Sequence, residues 1–332
     1  MNRAKCEAAD YINFLVASPH SYSCVEAAKV QPDRGRPPAH DAFTRLLHRL
    51  EPDAAALWAE VKPHVHKRSG VLIVDDTTLD KPYAKQMELV TRHWSGKHHQ
   101  VVHGINLITL LWTEGESHLP CDYRLYDKGQ DGLSKHDHFR AMLQTAHARG
   151  FVPECVLFDS WYSSLDNLKF IRDLEWVWLT QLKSNRQVNP DAQGLQPLSQ
   201  VDLSPSGTVI HLKGYGLIKV FKLVASDGSS EYWATNDLHM SELARLRYAE
   251  NAWAIETYHR GIKQFCGVER AQFRTARAQR NHIGLALRAF LRLERHCFTS
   301  GLSWFEAKAN IVRAAITLYL ALPLYTLPPP SA

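Results

Sequence analysis

Two continuous apolar runs along this chain end in acid. Val71-Leu72-Ile73-Val74 leads into Asp75-Asp76-Thr77-Thr78, and Cys155-Val156-Leu157-Phe158 leads into Asp159. Apolar runs without polar alternation predict strands buried on both faces. His103–Trp112 predicts a second strand, and Glu116–Tyr126 a third beyond the Thr113-Glu114-Gly115 turn. In His136–Arg149, Phe139, Met142, Leu143 and Ala146 recur at helical spacing, and Gly150 follows as a C-terminal cap. Cys155–Phe158 is the fourth strand, Leu165–Leu174 a short helix and Trp176–Leu182 the fifth strand. The order β-β-β-α-β-α-β predicts an α/β mixed sheet flanked by helices.

The flanks differ in pattern. Residues 1–68 predict helices, with Leu46, Leu47 and Leu50, then Ala54, Leu57, Trp58 and Val61, at helical spacing. Between the early helices, Gln31 to Pro38 forms a turn-rich basic loop. That helix–loop–helix is either a DNA-docking element or an ordinary helical cap. Residues 184–235 carry Pro190, Gly194, Pro197, Pro205, Gly207, Gly214, Gly216 and Gly228 between short β-like pieces such as Thr208–Leu212 and Leu217–Val224. This is a predicted β-rich insertion. From Met240 the chain turns helical again, with breaks near Gly267 and Gly301, and Pro328–Ala332 is a disordered tail by composition. The expected domains are 1–68, a core in two parts (69–183 and 236–320) around the 184–235 insertion, and a tail from 321. No internal repeat is evident.

Charge adds a direction. The 332 residues carry a net +5, but residues 241–320 hold 11 Arg and 2 Lys against 6 Glu and no Asp, a balance of +7 that leaves −2 for the rest. Arginine suits bidentate phosphate contacts. A solvated helical surface is the plain alternative. The six cysteines are scattered without a Cys-x-x-Cys pair, which argues against a zinc ribbon or redox motif and fits a reducing cytoplasm. No signal peptide is evident, and the late apolar run Ala314–Leu322 stops at Pro323, too short for a bilayer. A cytoplasmic, nucleoid-associated protein is expected.

Asp76 and Asp159 each close an apolar strand, where ligands gather in open α/β sheets. If those strands are neighbours, the two carboxylates repel and a divalent cation relieves the repulsion. Oxygen-only ligands suit Mg²⁺ or Mn²⁺, and two such ions about 3.5–4 Å apart can activate an attacking oxygen and steady the leaving oxygen of a phosphodiester. A strand-end aspartate can also simply cap a turn. Alternation along the strand lets only one of Asp75 and Asp76 point into such a site, and the pattern does not choose between them. Far downstream, Trp253-Ala254-Ile255-Glu256 opens a helical stretch carrying Arg260 and Lys263. Glu256 and Lys263 are seven residues apart and share one face, roughly 10 Å apart along the axis, and a solvated Glu–Arg pair is the plain alternative.

With Val74-Asp75-Asp76-Thr77-Thr78, Leu157-Phe158-Asp159-Ser160-Trp161-Tyr162, the β-rich insertion and Trp253-Ala254-Ile255-Glu256 with Lys263 in this order, the chain resembles bacterial insertion-sequence transposases of the DDE type, in the insertion-sequence-four superfamily with a Y-R-E-K signature. The resemblance covers roughly residues 20–300. It implies a ribonuclease-H-like catalytic domain, Mg²⁺-dependent cutting at terminal inverted repeats, and attack of the freed 3′-hydroxyl on target DNA by a homodimer. It favours Asp76 over Asp75, because the first aspartate of the family immediately precedes Thr or Ser. Asp76, Asp159 and Glu256 carry over as catalytic metal ligands and Lys263 as a DNA contact. Arg260, Arg247, Tyr248 and Trp253 are the neighbouring DNA-binding candidates. The signature runs Tyr-x2-Arg-x3-Glu-x6-Lys, and here Ala249 stands at the tyrosine position and Ala252 at the arginine position. A catalytically impaired DNA-binding derivative and a metal-dependent nuclease without strand transfer are the alternatives.

Other clusters carry less. His93, His98, His99 and His103 flank Trp94-Ser95-Gly96-Lys97 without a metal-binding spacing, and a hairpin loop is expected there. Tyr215, Tyr232 and Trp233 could stack on an extruded base, with core packing the more ordinary role. Adjacent aspartates, rather than Asp-x-Asp, argue against a phosphatase nucleophile.

Overall fold

The computed structural model describes residues 4–33, 35–95, 100–127, 129–225 and 228–325. Helices are α1 Ala8–Ala17, α2 Cys24–Lys29, α3 His40–Arg49, α4 Ala55–Val61, α5 Lys135–Ala148, α6 Leu165–Asp173, α7 Glu242–Phe265, α8 Ala276–Ser300 and α9 Trp304–Ala321. Strands are β1 Val71–Asp80, β2 Thr91–Ser95, β3 Gln100–Glu114, β4 Ser117–Tyr126, β5 Cys155–Phe158, β6 Trp178–Leu182, β7 Gln187–Asn189, β8 Gln196–Pro197, β9 Thr208–Leu212, β10 Gly216–Val224 and β11 Ser230–Thr235. The chain divides into two compact units, Ala54–Arg260 and Met1–Asp53 with Gly261–Ala332.

In the Ala54–Arg260 unit the eleven strands form one mixed sheet, ordered β2-β3-β1-β5-β6-β11-β10-β9-β7-β8, with β4 also on β3. β1 lies antiparallel to β3, and parallel to β5 with Val71 to Val74 opposite Cys155 to Phe158. β5 is in turn parallel to β6. Antiparallel strands on one side and parallel strands on the other give the ribonuclease-H-like mixed sheet. The apolar runs are fully inside, with Leu72, Val74, Cys155 and Val156 at 0% exposure. Helices α5 and α6 supply the crossovers that parallel pairing requires. α5 starts from a capping box in which Ser134 and Asp137 serve each other's backbone N–H, and it buries Phe139, Met142, Leu143 and Ala146.

Two differences from the sequence pattern stand out. β2 is too polar to be read as a strand, yet it pairs with Gln100–Gly104 of a longer β3. There Gly104 lies so close to β1 that a Cβ on it would sit 2.7 Å from the Leu79 carbonyl oxygen. The 184–235 stretch is an extension of the sheet, because β11 pairs antiparallel with β6 and β10, β9 and β7 follow.

In the other unit, α1 and α3 pack on α8 and bury Tyr11, Ile12, Phe43, Leu46 and Leu47. The first 53 residues therefore pack with the last segment of the chain in one compact unit. A local pattern exposes an apolar face but does not name the helix that covers it. Polar groups fix the packing. Tyr11 Oη and His282 Nδ1 are 3.0 Å apart, and Asn281 Nδ2 donates to the carbonyls of Leu47 and Leu50 at the end of α3 at 2.7 and 2.9 Å. Gly301, at φ 71°, ends α8 in the left-handed conformation glycine favours. The Pro328–Ala332 tail, and Gly96, Lys97, His98 and His99 of the histidine cluster, lie outside the described residues. Among the described residues no helix is long and apolar enough to cross a membrane.

Candidate active site

Parallel register places Val74 opposite Phe158, so the acidic ends of β1 and β5 emerge side by side. They open into a cleft of about 400 Å³ whose lining includes Asp75, Asp159 and Glu256. The floor is the apolar strand surface of Ile73, Leu157 and Leu179, and one wall is the α7 face bearing Ala249, Ala252, Trp253 and Glu256.

The alternation of β1 separates the paired aspartates. Asp75 lines the cleft. Burial pushes its carboxyl well above the usual range, and the negative charges of Asp76, Asp159 and Glu256 push it further. His259, buried one turn beyond Glu256 on α7, brings Nδ1 to 4.0 Å from Asp75 Oδ2.

Asp76, the member of the pair favoured from sequence, is not part of the cleft lining. Its Oδ2 accepts from Asn106 Nδ2 at 2.6 Å and Lys135 Nζ at 2.7 Å, and its Oδ1 from Tyr162 Oη at 2.7 Å. Burial alone would raise its pKa, but the Lys135 charge and these three donors outweigh it and hold the carboxyl below the usual range. Lys135 also lies over the Trp161 and Tyr126 rings, at 5.3 and 5.9 Å from their centroids. Asp159 Oδ1 accepts from the backbone N–H groups of Trp161 and Tyr162 at 3.0 and 3.2 Å. Burial raises its pKa against those two bonds, with the Asp76 charge adding to the rise.

A fourth carboxylate in the cleft lining, Glu231 of β11, was not singled out from sequence. Its Oε2 accepts from Gln181 Nε2 at 3.1 Å and Trp233 Nε1 at 3.0 Å. Trp233 also lines the cleft, whereas Tyr232 is buried, and Tyr215 packs on Trp178 with its hydroxyl accepting from the indole N–H at 2.9 Å. Lys135 gave no sequence signal, because only the tertiary fold brings it to β1. His259 did give one: it is three residues after Glu256 and so on the same helical face.

The other candidates are scattered. Trp253 is 67% exposed at the cleft, and Arg260 is exposed at the end of this unit. Arg247 is occupied by Glu154 at 2.8 Å, with the Tyr248 hydroxyl 3.5 Å from the same carboxylate. Lys263 belongs to the other unit, where its Nζ is 3.8 Å from Glu269. Of the histidine cluster, His93 Nε2 meets Thr91 Oγ1 at 2.7 Å and His103 Nε2 accepts from Arg92 Nε at 3.2 Å.

Residues 2–205 match the family described as DDE superfamily endonuclease. The chain belongs to this family. The match spans both strand-end aspartate sites and stops before Glu256. Among solved structures, this DDE endonuclease is similar to the piggyBac transposase in its synaptic complex with hairpin DNA, at 13% identity and TM-score 0.53, over 98% of this chain and 74% of that one. A weaker likeness, to the Drosophila P element transposase in its strand transfer complex, has 11% identity and TM-score 0.29 over 95% and 65% of the two chains. The first likeness shows a shared fold, and the second carries no weight by itself. No curated protein matches.

Proposed function

We propose that this DDE endonuclease is a transposase that cuts and joins DNA at the terminal inverted repeats of a bacterial insertion sequence, through Asp75, Asp159 and Glu256. The observation that carries this is their shared cleft, supplied by two neighbouring strand ends and one helix. The donor set suits hard divalent cations. It is all oxygen, and the mutual charge that raises Asp75 is what a cation relieves. Among the described residues no three Asp, Glu, His or Cys side chains yet converge closely enough to hold an ion.

When bound, Mg²⁺ or Mn²⁺ would polarise the phosphodiester and lower the pKa of an attacking water or 3′-hydroxyl. The chain's own residues provide the rest. The N–H groups of Trp161 and Tyr162 fix Asp159 in one rotamer, and Trp253 offers an exposed ring at the cleft mouth for the DNA. Asp76 acts from behind, with Lys135, Asn106 and Tyr162 tying the end of β1 to β3, α5 and the turn after Asp159. The hairpin DNA bound in the piggyBac structure of similar fold supports DNA as partner.

The test is Mg²⁺-dependent cleavage of a duplex made from the sequence flanking the reading frame. Asp75→Asn and Glu256→Gln are expected to lower the cleavage rate by at least a hundredfold. Wild-type rates in both variants would sink the assignment. Joined 3′ ends in a plasmid target separate a transposase from a simple nuclease.

A second reading, a DNA-binding derivative with weak catalysis, is favoured by one observation. Ala249 and Ala252, where the Y-R-E-K signature has Tyr and Arg, both line the cleft. No cation projects from those positions toward a bound phosphate. Ala252→Arg is expected to raise strand transfer at least tenfold if the enzyme is impaired. Absence of cleavage in both proteins would support the binding role.

A further inference from the structure

Each aspartate at the strand ends has a set of donors that fixes its orientation, except one. Asp159 has the N–H groups of Trp161 and Tyr162, and Asp76 has Asn106, Lys135 and Tyr162. Asp75 takes only the neighbouring backbone N–H of Asp76. Thr109 stands directly across from it on β3, but Thr109 Oγ1 is buried and bonds nothing among the described residues. The polar side chain brought to Asp75 comes instead from α7. His259 Nδ1 lies 4.0 Å from Asp75 Oδ2, with the imidazole 10% and the carboxylate 26% exposed.

His259 sits on the buried stripe of α7 that also carries Ile255 and Tyr258. A ring nitrogen in such a stripe needs a polar partner, and Nδ1 is turned toward a carboxylate. Its place along the helix matters as well. Three residues after Glu256, the ring shares that residue's helical face, about 4.5 Å further along the axis. One turn of α7 therefore carries one carboxylate of the cleft and the group that meets another. We propose that His259 is the positioning residue of the cleft: Nδ1–H donates to Asp75 Oδ2, holds that carboxylate in one rotamer, and so sets the strand-borne Asp75 against the helix-borne Glu256. The inference rests on the reading of Asp75 and Glu256 as cation ligands. The 4.0 Å separation is longer than a hydrogen bond. It closes with a movement of roughly 1 Å, and catalytic contacts commonly tighten in this way when a site is loaded. Hydrogen-bonding partners behind ligating carboxylates are worth about 10–100-fold in metal affinity or activity.

The test is Mn²⁺ binding to the full chain without DNA, followed by titration calorimetry, so that no readout depends on cleavage. His259→Leu is expected to weaken Mn²⁺ binding by about 10–100-fold. His259→Asn, whose amide nitrogen takes the place of Nδ1, is expected to restore most of that loss. Asp75→Asn is expected to weaken binding by itself, and His259→Leu added to it to cost nothing further, because the ring acts through Asp75. Melting in chelator shows whether each variant is folded, and His259→Phe, a ring without a donor, replaces the leucine variant if that one does not melt cooperatively. Unchanged Mn²⁺ binding in the donor-free variant overturns the inference. So does a loss that persists in full on top of Asp75→Asn, or one that His259→Asn leaves unrepaired. A histidine that only packs would give the reverse pattern, a lower melting temperature with unchanged affinity. If Asp75→Asn itself leaves Mn²⁺ binding unchanged, the ligand assignment fails first and the role of His259 falls with it. If Asp75→Asn weakens binding and the donor-free variant does not, only the role of His259 falls.

Discussion

Two adjacent aspartates of this endonuclease experience opposite surroundings, and that difference is measurable as stability. Asp75 is half-buried among like charges, so its folded pKa lies above its unfolded one. The folded state then binds the proton more tightly, and stability falls as pH rises from the ordinary carboxylate range through the raised value. The penalty grows from the ordinary carboxylate range upward and is complete only above the raised value. Asp75→Asn is therefore expected to raise the melting temperature of the metal-free protein, measured in chelator. Asp76 has the opposite sign, its folded pKa lying below the ordinary range. Its contribution is intact above that range and is lost as pH falls through the depressed value. Asp76→Asn should cost about 1.5–3 kcal/mol in denaturant unfolding at neutral pH, because it weakens charge-assisted bonds to Lys135, Asn106 and Tyr162. If both substitutions shift stability in the same direction, the division of the pair between cleft and scaffold is wrong. Alternation along a strand announced that these residues face opposite ways. Which one faced α7 depended on what packed against each side of the sheet.

At the scale of elements, the site depends on β1 keeping its register between β3 and β5. Gly104 is the tightest point, opposite Asp80 of β1 and Thr91 of β2. A methyl group there meets the Leu79 carbonyl oxygen at 2.7 Å, and that backbone cannot move without shifting β1. Gly104→Ala is expected to destabilise the protein by about 1–3 kcal/mol. It should also slow cleavage more than stability loss alone explains, checked by comparing unfolding with activity well below the melting temperature. The apolar runs made β1 and β5 legible because burial on both faces leaves no polar alternation. β2 was hidden for the converse reason: Thr91-Arg92-His93-Trp94-Ser95 owes its extended form to hydrogen bonds with β3, not to its own side chains. Glu231 was hidden by its place in the stretch read as an insertion, which the sheet absorbs through β11.

For the whole molecule, the arginine-rich segment predicts more phosphate contacts than the structure leaves open. Of the 13 cations in 241–320, Arg245 is 1% exposed, and Arg247, Arg277 and Arg313 are bonded to Glu154, Glu51 and Glu306. Each phosphate neutralised on duplex DNA contributes about −0.9 to the slope of log K against log salt. A slope clearly shallower than the roughly −12 that all thirteen cations would give is expected from filter binding or fluorescence anisotropy. A flat response would remove this segment as a DNA surface, and a steeper one would require cations from elsewhere in the chain.

The chain's own pattern determined where the buried strands and the apolar-faced helices form, though not β2, and where its carboxylates fall along them, because periodicity and burial are written residue by residue. It could not determine which partner each face meets. Only tertiary packing aligned β1 with β5, turned Asp75 toward α7 and Asp76 toward Lys135, and closed the first helices onto α8. Those outcomes rest on contacts between residues up to hundreds of positions apart, where local preference carries no information.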